Sequence, residues 1–298
     1  MKIGYPCLNR TLACRTNSTF RLASFSEERF LNATASNIEC LRSVLRFNAE
    51  RSILFFRISS DIIPFASHPV CTVPWQERFR ENFRQLGSFI KDAGIRISMH
   101  PDQFTVLNSP DPAIVERSIR ELRYHAEVLD LLGLDTTAKI QIHAGGVYGD
   151  KPAAIERLSS ACGKLDKAIA ARLVIENDDR SYTAQDCMEI HERTGTPLLF
   201  DVFHHLLNPG TLDARTAFRL FHGTWKKSDG ILMVDYSMQK AGSRTGSHAE
   251  SIDTEHFKAF LREVVSEDCD IMLEIKDKEK SAQKAVAAAR SDPRFVKV

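Results

Sequence analysis

Short apolar, strand-like runs recur along this chain, and one after another they end on a histidine or a carboxylate. RISMH closes on His100, KIQIH on His143, LVIE on Glu176, LLFD on Asp201 with His204 just beyond, and IMLE on Glu274. Such groups converge only if the strands run parallel in one sheet. The pattern predicts an α/β fold with one polynuclear metal site at the mouth of that sheet.

Strand-like runs are expected at Lys2 to Tyr5, Ile53 to Ile58, Ile95 to His100, Ala138 to His143, Leu173 to Glu176, Pro197 to Asp201, Ile231 to Tyr236 and Ile271 to Lys276. Amphipathic segments alternate with them: Ser26 to Phe47 with a Ser-Glu-Glu cap, Trp75 to Asp92, Pro112 to Leu132, Ala153 to Ala170, Ala184 to Arg193, Asp213 to Phe221, Thr254 to Val265 and Glu279 to Ala289. Eight strand and helix pairs fit a closed (β/α)8 TIM barrel better than a doubly wound sheet, and such a barrel gathers reactive groups at the C-terminal ends of its strands. No Pro/Gly-rich linker divides the sequence, so residues 1–298 are read as a single domain. Two long irregular stretches, Cys7 to Phe25 and Ser59 to Pro74, follow the first two strands and are expected to be functional loops.

Lysine plus arginine at 40 against aspartate plus glutamate at 39 leaves a formal charge of +1. A polyanionic partner would therefore need a local basic rim or bound metal, since no global positive field exists. The 7 cysteines are odd in number and scattered without a C-x-x-C pair, which favours reduced thiols over disulfides or a cysteine zinc site. No run approaches the roughly 18 apolar residues of a membrane span, and the N-terminus has no signal-like stretch. A cytoplasmic protein without membrane contact, working as a monomer, is expected.

Histidine and carboxylate without cysteine suit Mn²⁺, Zn²⁺ or Fe²⁺, and three histidines with three acids exceed the needs of one four-coordinate ion. Two or three ions are implied, with Glu176 or Asp201 as the bridge. Such a centre would activate water and clamp a transferring phosphoryl group, making phosphodiester hydrolysis one reading. Metal-dependent isomerisation or epimerisation of a sugar on the same scaffold is the other, and the residue types alone leave both open.

GYPCLNRTL, FRISSDIIPFASHP, SMHPDQFTVLNSP, ERSIRELRYHAEVLDLLG, IHAGGVYGDK, IENDD, DVFHHLLNPG and EIKDKE together resemble the ultraviolet-damage endonuclease family, from Gly4 to about Lys280. The resemblance implies a DNA-repair enzyme that nicks double-stranded DNA on the 5′ side of pyrimidine dimers, 6-4 photoproducts and some abasic sites, leaving 3′-hydroxyl and 5′-phosphate ends. It implies up to three divalent ions, usually Mn²⁺, with Zn²⁺ or Co²⁺ as alternatives. His68, His100, His143, Glu176, Asp201, His204, His248 and Glu274 match positions around that family's metals. Of these His143, Glu176, Asp201 and Glu274 are also read as catalytic, with Lys276 either neutralising a metal-bound phosphate or pairing with an acid.

Family members usually carry a lysine on strand seven and a histidine two positions on, where this chain has Met233 and Asp235. Asp235 is read as a substitute ligand, whereas a thioether cannot bridge hard ions. Gln103 and Phe104 match the pair that probes the duplex opposite a lesion, where an aromatic fills the gap left by displaced bases. Tyr5 and Asn9 match residues near an extruded dinucleotide, and Arg10, Arg15, Arg57, Arg180 and Arg244 are candidates for phosphate contacts on the rim. Beside the sugar enzyme, a non-catalytic lesion binder is the remaining alternative. The density of strand-end ligands argues against it.

Overall fold

The computed structural model describes residues 1–264 and 266–297. Among them, parallel strands β1 (Ile3–Pro6), β2 (Phe55–Ile58), β3 (Arg96–Met99), β4 (Lys139–His143), β5 (Leu173–Glu176), β6 (Leu198–Asp201), β7 (Leu232–Tyr236) and β8 (Cys269–Leu273) close into a barrel in sequence order. Helices α1 (Glu27–Ala49), α2 (Trp75–Arg78), α3 (Arg80–Asp92), α4 (Pro112–Leu131), α5 (Lys151–Cys162), α6 (Lys167–Ala170), α7 (Ala184–Thr194), α8 (Val202–Leu207), α9 (Ala214–Gly223), α10 (Thr254–Glu263) and α11 (Glu279–Ala289) accompany the barrel. This is the (β/α)8 architecture that the alternating runs predict.

Local chemistry sets the helix starts. The Ser26 side chain accepts from the Arg29 amide to begin α1, Asp111 and Asp150 cap α4 and α5 with proline in the first turn, and Thr183 with Asp186 forms a capping box on α7. Two expected helices are interrupted. The second breaks between α2 and α3 at Phe79, and the fourth between α5 and α6. The seventh ends at Glu263, and its expected last residue, Val265, lies outside the described residues. Strand eight also differs: it begins at Cys269 and ends at Leu273, so Lys276 stands beyond the sheet.

Alternation along the strands sorts the barrel interior into layers. Phe55, Val174, Leu199, Met233 and Met272 form a separate buried apolar cluster. Two residues further along the same strands come Arg57, Glu176, Asp201, Asp235 and Glu274. The two-residue period of a strand therefore puts an apolar floor directly beneath a charged layer. The opposite end of the barrel is closed by ion pairs, Arg96 to Asp270 at 2.8 Å and Lys139 to Asp229 at 2.7 Å, with Trp225 against both cations. On the outer face of the strands, residues such as Tyr5, Phe56, Ile140, Phe200 and Tyr236 belong to the main core between barrel and helices.

The expectation of uniformly reduced cysteines is corrected at one place. Cys14, in the loop after β1, and Cys40, in α1, are disulfide-bonded with their Cα atoms 5.6 Å apart. Scattered spacing conceals this pair because the loop folds back over the helix. Cys7, Cys71, Cys162, Cys187 and Cys269 are free. None of the described helices is long and apolar enough to cross a membrane.

Candidate metal centre

The strand-end groups meet at the C-terminal mouth. Three sets have ligand atoms mutually within 4.8 Å: His100, His143 and Glu176; Glu176, Asp201 and His204; and Asp201, Asp235 and Glu274. Strand register is the cause, since His143 pairs with Glu176 across β4 and β5, and Asp201 with Asp235 across β6 and β7. Glu176 sits at the middle, only 1 % exposed. One of its oxygens lies 3.1 Å from His204 Nδ1, and the other 3.7 Å from His100 Nε2 and 3.9 Å from His143 Nε2.

Neighbouring amides fix these carboxylates. Gln141 Nε2 donates to Glu176 at 2.8 Å and to Asp235 at 2.8 Å. Asn177 clasps the Asp201 backbone, accepting from its amide at 2.9 Å and donating to its carbonyl at 3.0 Å. Asp201 Oδ1 caps α8 by accepting from the His204 amide at 2.6 Å, while its buried Oδ2 has no hydrogen-bond partner. The cap makes a short helix begin where only a turn is expected, and it carries His204 back over the acids. His204 Nδ1 is also 3.1 Å from the Asn177 carbonyl, and His248 Nδ1 is 2.7 Å from that of Glu274. A carbonyl only accepts, so both Nδ1 atoms carry protons and each Nε2 is the free donor for a ligand.

The electrostatics fit cations. Burial opposes ionisation of Glu176, yet His143, His204 and His100 hold its carboxyl well below the usual range. Burial, with repulsion from Glu176, Glu274 and Asp235, lifts Asp201 well above that range despite His204. Burial and then His143 push His100 down to about 3, leaving a neutral ring with a lone pair to offer. For His204 burial acts downward too, but Asp201 and Glu176 outweigh it and raise the ring to about 11. Asp201, buried and drawn toward a proton with one oxygen unpartnered, lies in the same mouth as the ionised Glu176 and the neutral His100 ring, and a divalent ion would take up the charge that the His204 proton now balances.

Several expected site residues lie elsewhere. His68 is exposed on the loop after β2, its Nδ1 accepting from the Val70 amide at 3.0 Å, and it lines a separate cleft of about 380 Å³ with Asp102 and Phe104. Tyr5 and Asn9 do not face the mouth. Tyr5 points outward against α1, giving its hydroxyl to Asn48 and accepting from Asn9, and Asn9 Oδ1 takes the Thr11 and Leu12 amides. Arg57 is placed below the rim rather than on it, 3 % exposed and paired with Asp235 and Glu274. His205 is buried, packing its ring against Phe200.

The rim itself is basic. Arg10, Arg15, Arg180, Arg244 and Lys276 are all exposed on loops after β1, β5, β7 and β8. Lys276 bonds Glu250 at 3.3 Å, and Arg10 Nε donates to the Lys276 carbonyl at 2.6 Å. Gln103 and Phe104 stand on the loop after β3, with Phe104 75 % exposed.

Two contributors escape a reading of strand ends alone. Gln141 was visible in principle, since KIQIH places it two residues before His143 and hence on the same inward face. Lys278 was not: it lines the mouth cavity of about 560 Å³ with Cys7, Arg10, Arg57, His248 and Glu274. Burial lowers its ammonium, with Cys7 and Glu274 acting in the opposite sense. Its φ of 56° is one of four non-glycine positive values in loops at this mouth, with Cys7, Phe65 and Tyr148. Local strain of roughly 1–3 kcal/mol per residue is typical of functional sites. Gly145, at φ 96°, lets the loop after β4 approach Asn108, whose Oδ1 would lie 2.4 Å from any Cβ there.

The UV-endonuclease UvdE family profile matches residues 1–290. The chain is 40 % identical over 288 residues to the UV DNA damage endonuclease of Clostridium perfringens, covering 96 % of this chain and 70 % of that one. The crystal structure of SacUVDE superposes with a TM-score of 0.93 at 44 % identity, covering 97 % of this chain and 98 % of the other. D-Psicose 3-epimerase from Clostridium cellulolyticum H10 superposes with a TM-score of 0.56 at 15 % identity over 87 % of this chain and 94 % of that one, a likeness of fold alone.

Proposed function

From its membership of the ultraviolet-damage endonuclease family, a DNA-repair endonuclease with a metal site, we propose that this chain cuts the phosphodiester immediately 5′ of a pyrimidine dimer or 6-4 photoproduct, and of some abasic sites. The products are a 3′-hydroxyl and a 5′-phosphate. The observation that carries this reading is the family match over residues 1–290, and the convergence of His100, His143, Glu176, Asp201 and His204 at the mouth gives it a metal site. The whole chain acts as one catalytic unit. On this reading it needs no second copy to complete the site, since every one of these groups comes from a single barrel, and it acts as a monomer in the cytoplasm with its DNA.

That site would take a divalent ion, Mn²⁺ on our reading with Zn²⁺ or Co²⁺ as alternatives, which when bound would supply a water of lowered pKa and positive charge against the phosphoryl oxygens. Glu176 belongs to both histidine-bearing sets and would be the ligand they share. His100 and His143 would hold an ion with it in one set, and His204 and Asp201 in the other. His248, turned by its bond to the Glu274 carbonyl, faces the same mouth from the loop after β7. Gln141 keeps the carboxylates of Glu176 and Asp235 from swinging away.

The surface performs recognition. Arg10, Arg15, Arg180, Arg244 and Lys276 contact phosphates around the mouth, which fixes register without reading sequence. Phe104, already in solvent, enters the duplex where damage has weakened stacking, and Gln103 bonds the partner bases left unpaired. Extruding a damaged nucleotide costs less than extruding an intact one, so selectivity follows from deformability. A duplex with one defined thymine dimer, incubated with Mn²⁺-loaded protein, tests the reading. A nick immediately 5′ of the dimer is expected, and intact DNA from folded, metal-loaded protein would refute it.

A further inference from the structure

The third ligand set, Asp201, Asp235 and Glu274, differs from the other two in holding no histidine and in being paired with a buried guanidinium. Arg57 Nη2 donates to both Asp235 oxygens, at 2.7 and 2.6 Å, and Arg57 Nη1 donates to Glu274. Asp235 Oδ2 also accepts from Gln141 at 2.8 Å. The Asp235 carboxylate is thus engaged on both oxygens by groups that are themselves buried. Beneath it, the inward position two residues earlier on β7 is Met233, fully buried in the apolar floor and offering no oxygen or nitrogen. Arg57 thus links two carboxylates, one through each terminal nitrogen, in charge-assisted bonds roughly twice as strong as neutral ones, and a buried guanidinium without its acids would be costly.

We propose that Arg57 takes the place of a metal ion at the Asp235 and Glu274 corner, so that this chain's centre holds two divalent ions and one fixed guanidinium. The inference rests on the metal reading of the mouth and adds to it the count and the reason for the count. Four acids, Glu176, Asp201, Asp235 and Glu274, share the charged layer. Arg57 satisfies Asp235 and part of Glu274, whereas Glu176 and the free Asp201 oxygen are left to His100, His143 and His204. An ion at the third corner would have to displace a side chain anchored by three hydrogen bonds. Arg57 is therefore a positioning residue for Asp235 and Glu274, not a phosphate contact.

The test counts ions rather than turnover. Metal-stripped full-length protein is dialysed against a graded series of Mn²⁺, and tightly bound equivalents are measured by elemental analysis, with circular dichroism confirming the fold. Wild type is expected to retain two, Arg57→Met three, and Asp235→Asn two, because Asp235 does not ligate. Three equivalents in wild type would overturn the inference, as would folded Arg57→Met that stays at two or Asp235→Asn that falls to one. Should Arg57→Met fail to fold, the wild-type and Asp235→Asn counts decide. Fewer than two in wild type would sink the metal reading of the mouth together with this inference.

Discussion

Replacing Phe104 by alanine separates recognition from folding, because the ring is 75 % exposed and contributes little to the core. Unfolding free energy should change by less than about 0.5 kcal/mol, the usual range for an exposed surface position. Binding should change far more. Base stacking on an aromatic is worth about 1–3 kcal/mol, which corresponds to about 5-fold to 150-fold in Kd. Fluorescence anisotropy, with Ca²⁺ in place of Mn²⁺, would compare a duplex carrying one thymine dimer with its undamaged counterpart. The Phe104→Ala protein should lose that factor on damaged DNA and less than about 3-fold on undamaged DNA, where phosphate contacts dominate. Phe104→Tyr should retain both affinities. Equal losses on the two duplexes, or no loss at all, would show that the ring does not enter the lesion.

Further outcomes follow from the interior. Glu176→Gln keeps the shape of the side chain and removes its charge; single-turnover cleavage should fall by about 10³-fold, the scale of several kcal/mol of metal-assisted stabilisation, and a variant within 10-fold of wild type would remove Glu176 from the proposed centre. Burial, against the Glu121 carbonyl and the acids Asp102 and Asp61, lowers His125 to about 4, below its unfolded value of about 6.5. The unfolded chain therefore holds the extra proton in that window. Stability should fall by up to about 3 kcal/mol as pH drops from about 6.5 to about 4, and denaturant titrations of wild type and His125→Leu should diverge over that range and not above it. Removing the Cys14–Cys40 bond by Cys14→Ser with Cys40→Ser should cost about 2–4 kcal/mol, read as a lower Tm; an unchanged Tm would mean the bond contributes nothing.

What the sequence revealed depended on the range over which its signals act. Strand runs, capping residues and the two-residue alternation are local, and they are sufficient to place His100, His143, Glu176 and Asp201 at one mouth. Contacts between distant segments left no such mark. Arg57 and Asp235 are separated by 178 residues, and nothing in FRISS tells that its arginine turns inward to acids on β7 and β8. Tyr5 shows the same limit: within IGYP, Gly4 and Pro6 share the inward face, so Tyr5 turns to α1. The predicted end of β8 overshoots to Lys276 because the alternation of IMLEIK continues through Glu274, Ile275 and Lys276 past the point where the ladder stops. Lys278 gained its position from a positive φ that no residue type announces.

The most direct measurement maps cleavage at nucleotide resolution on a duplex with one thymine dimer and on its undamaged match, with Mn²⁺ or with EDTA. The account predicts one nick immediately 5′ of the dimer, a 3′-hydroxyl at the break, abolition by EDTA and recovery on adding Mn²⁺. A nick that persists after complete chelation, or one made equally in undamaged DNA, would contradict it.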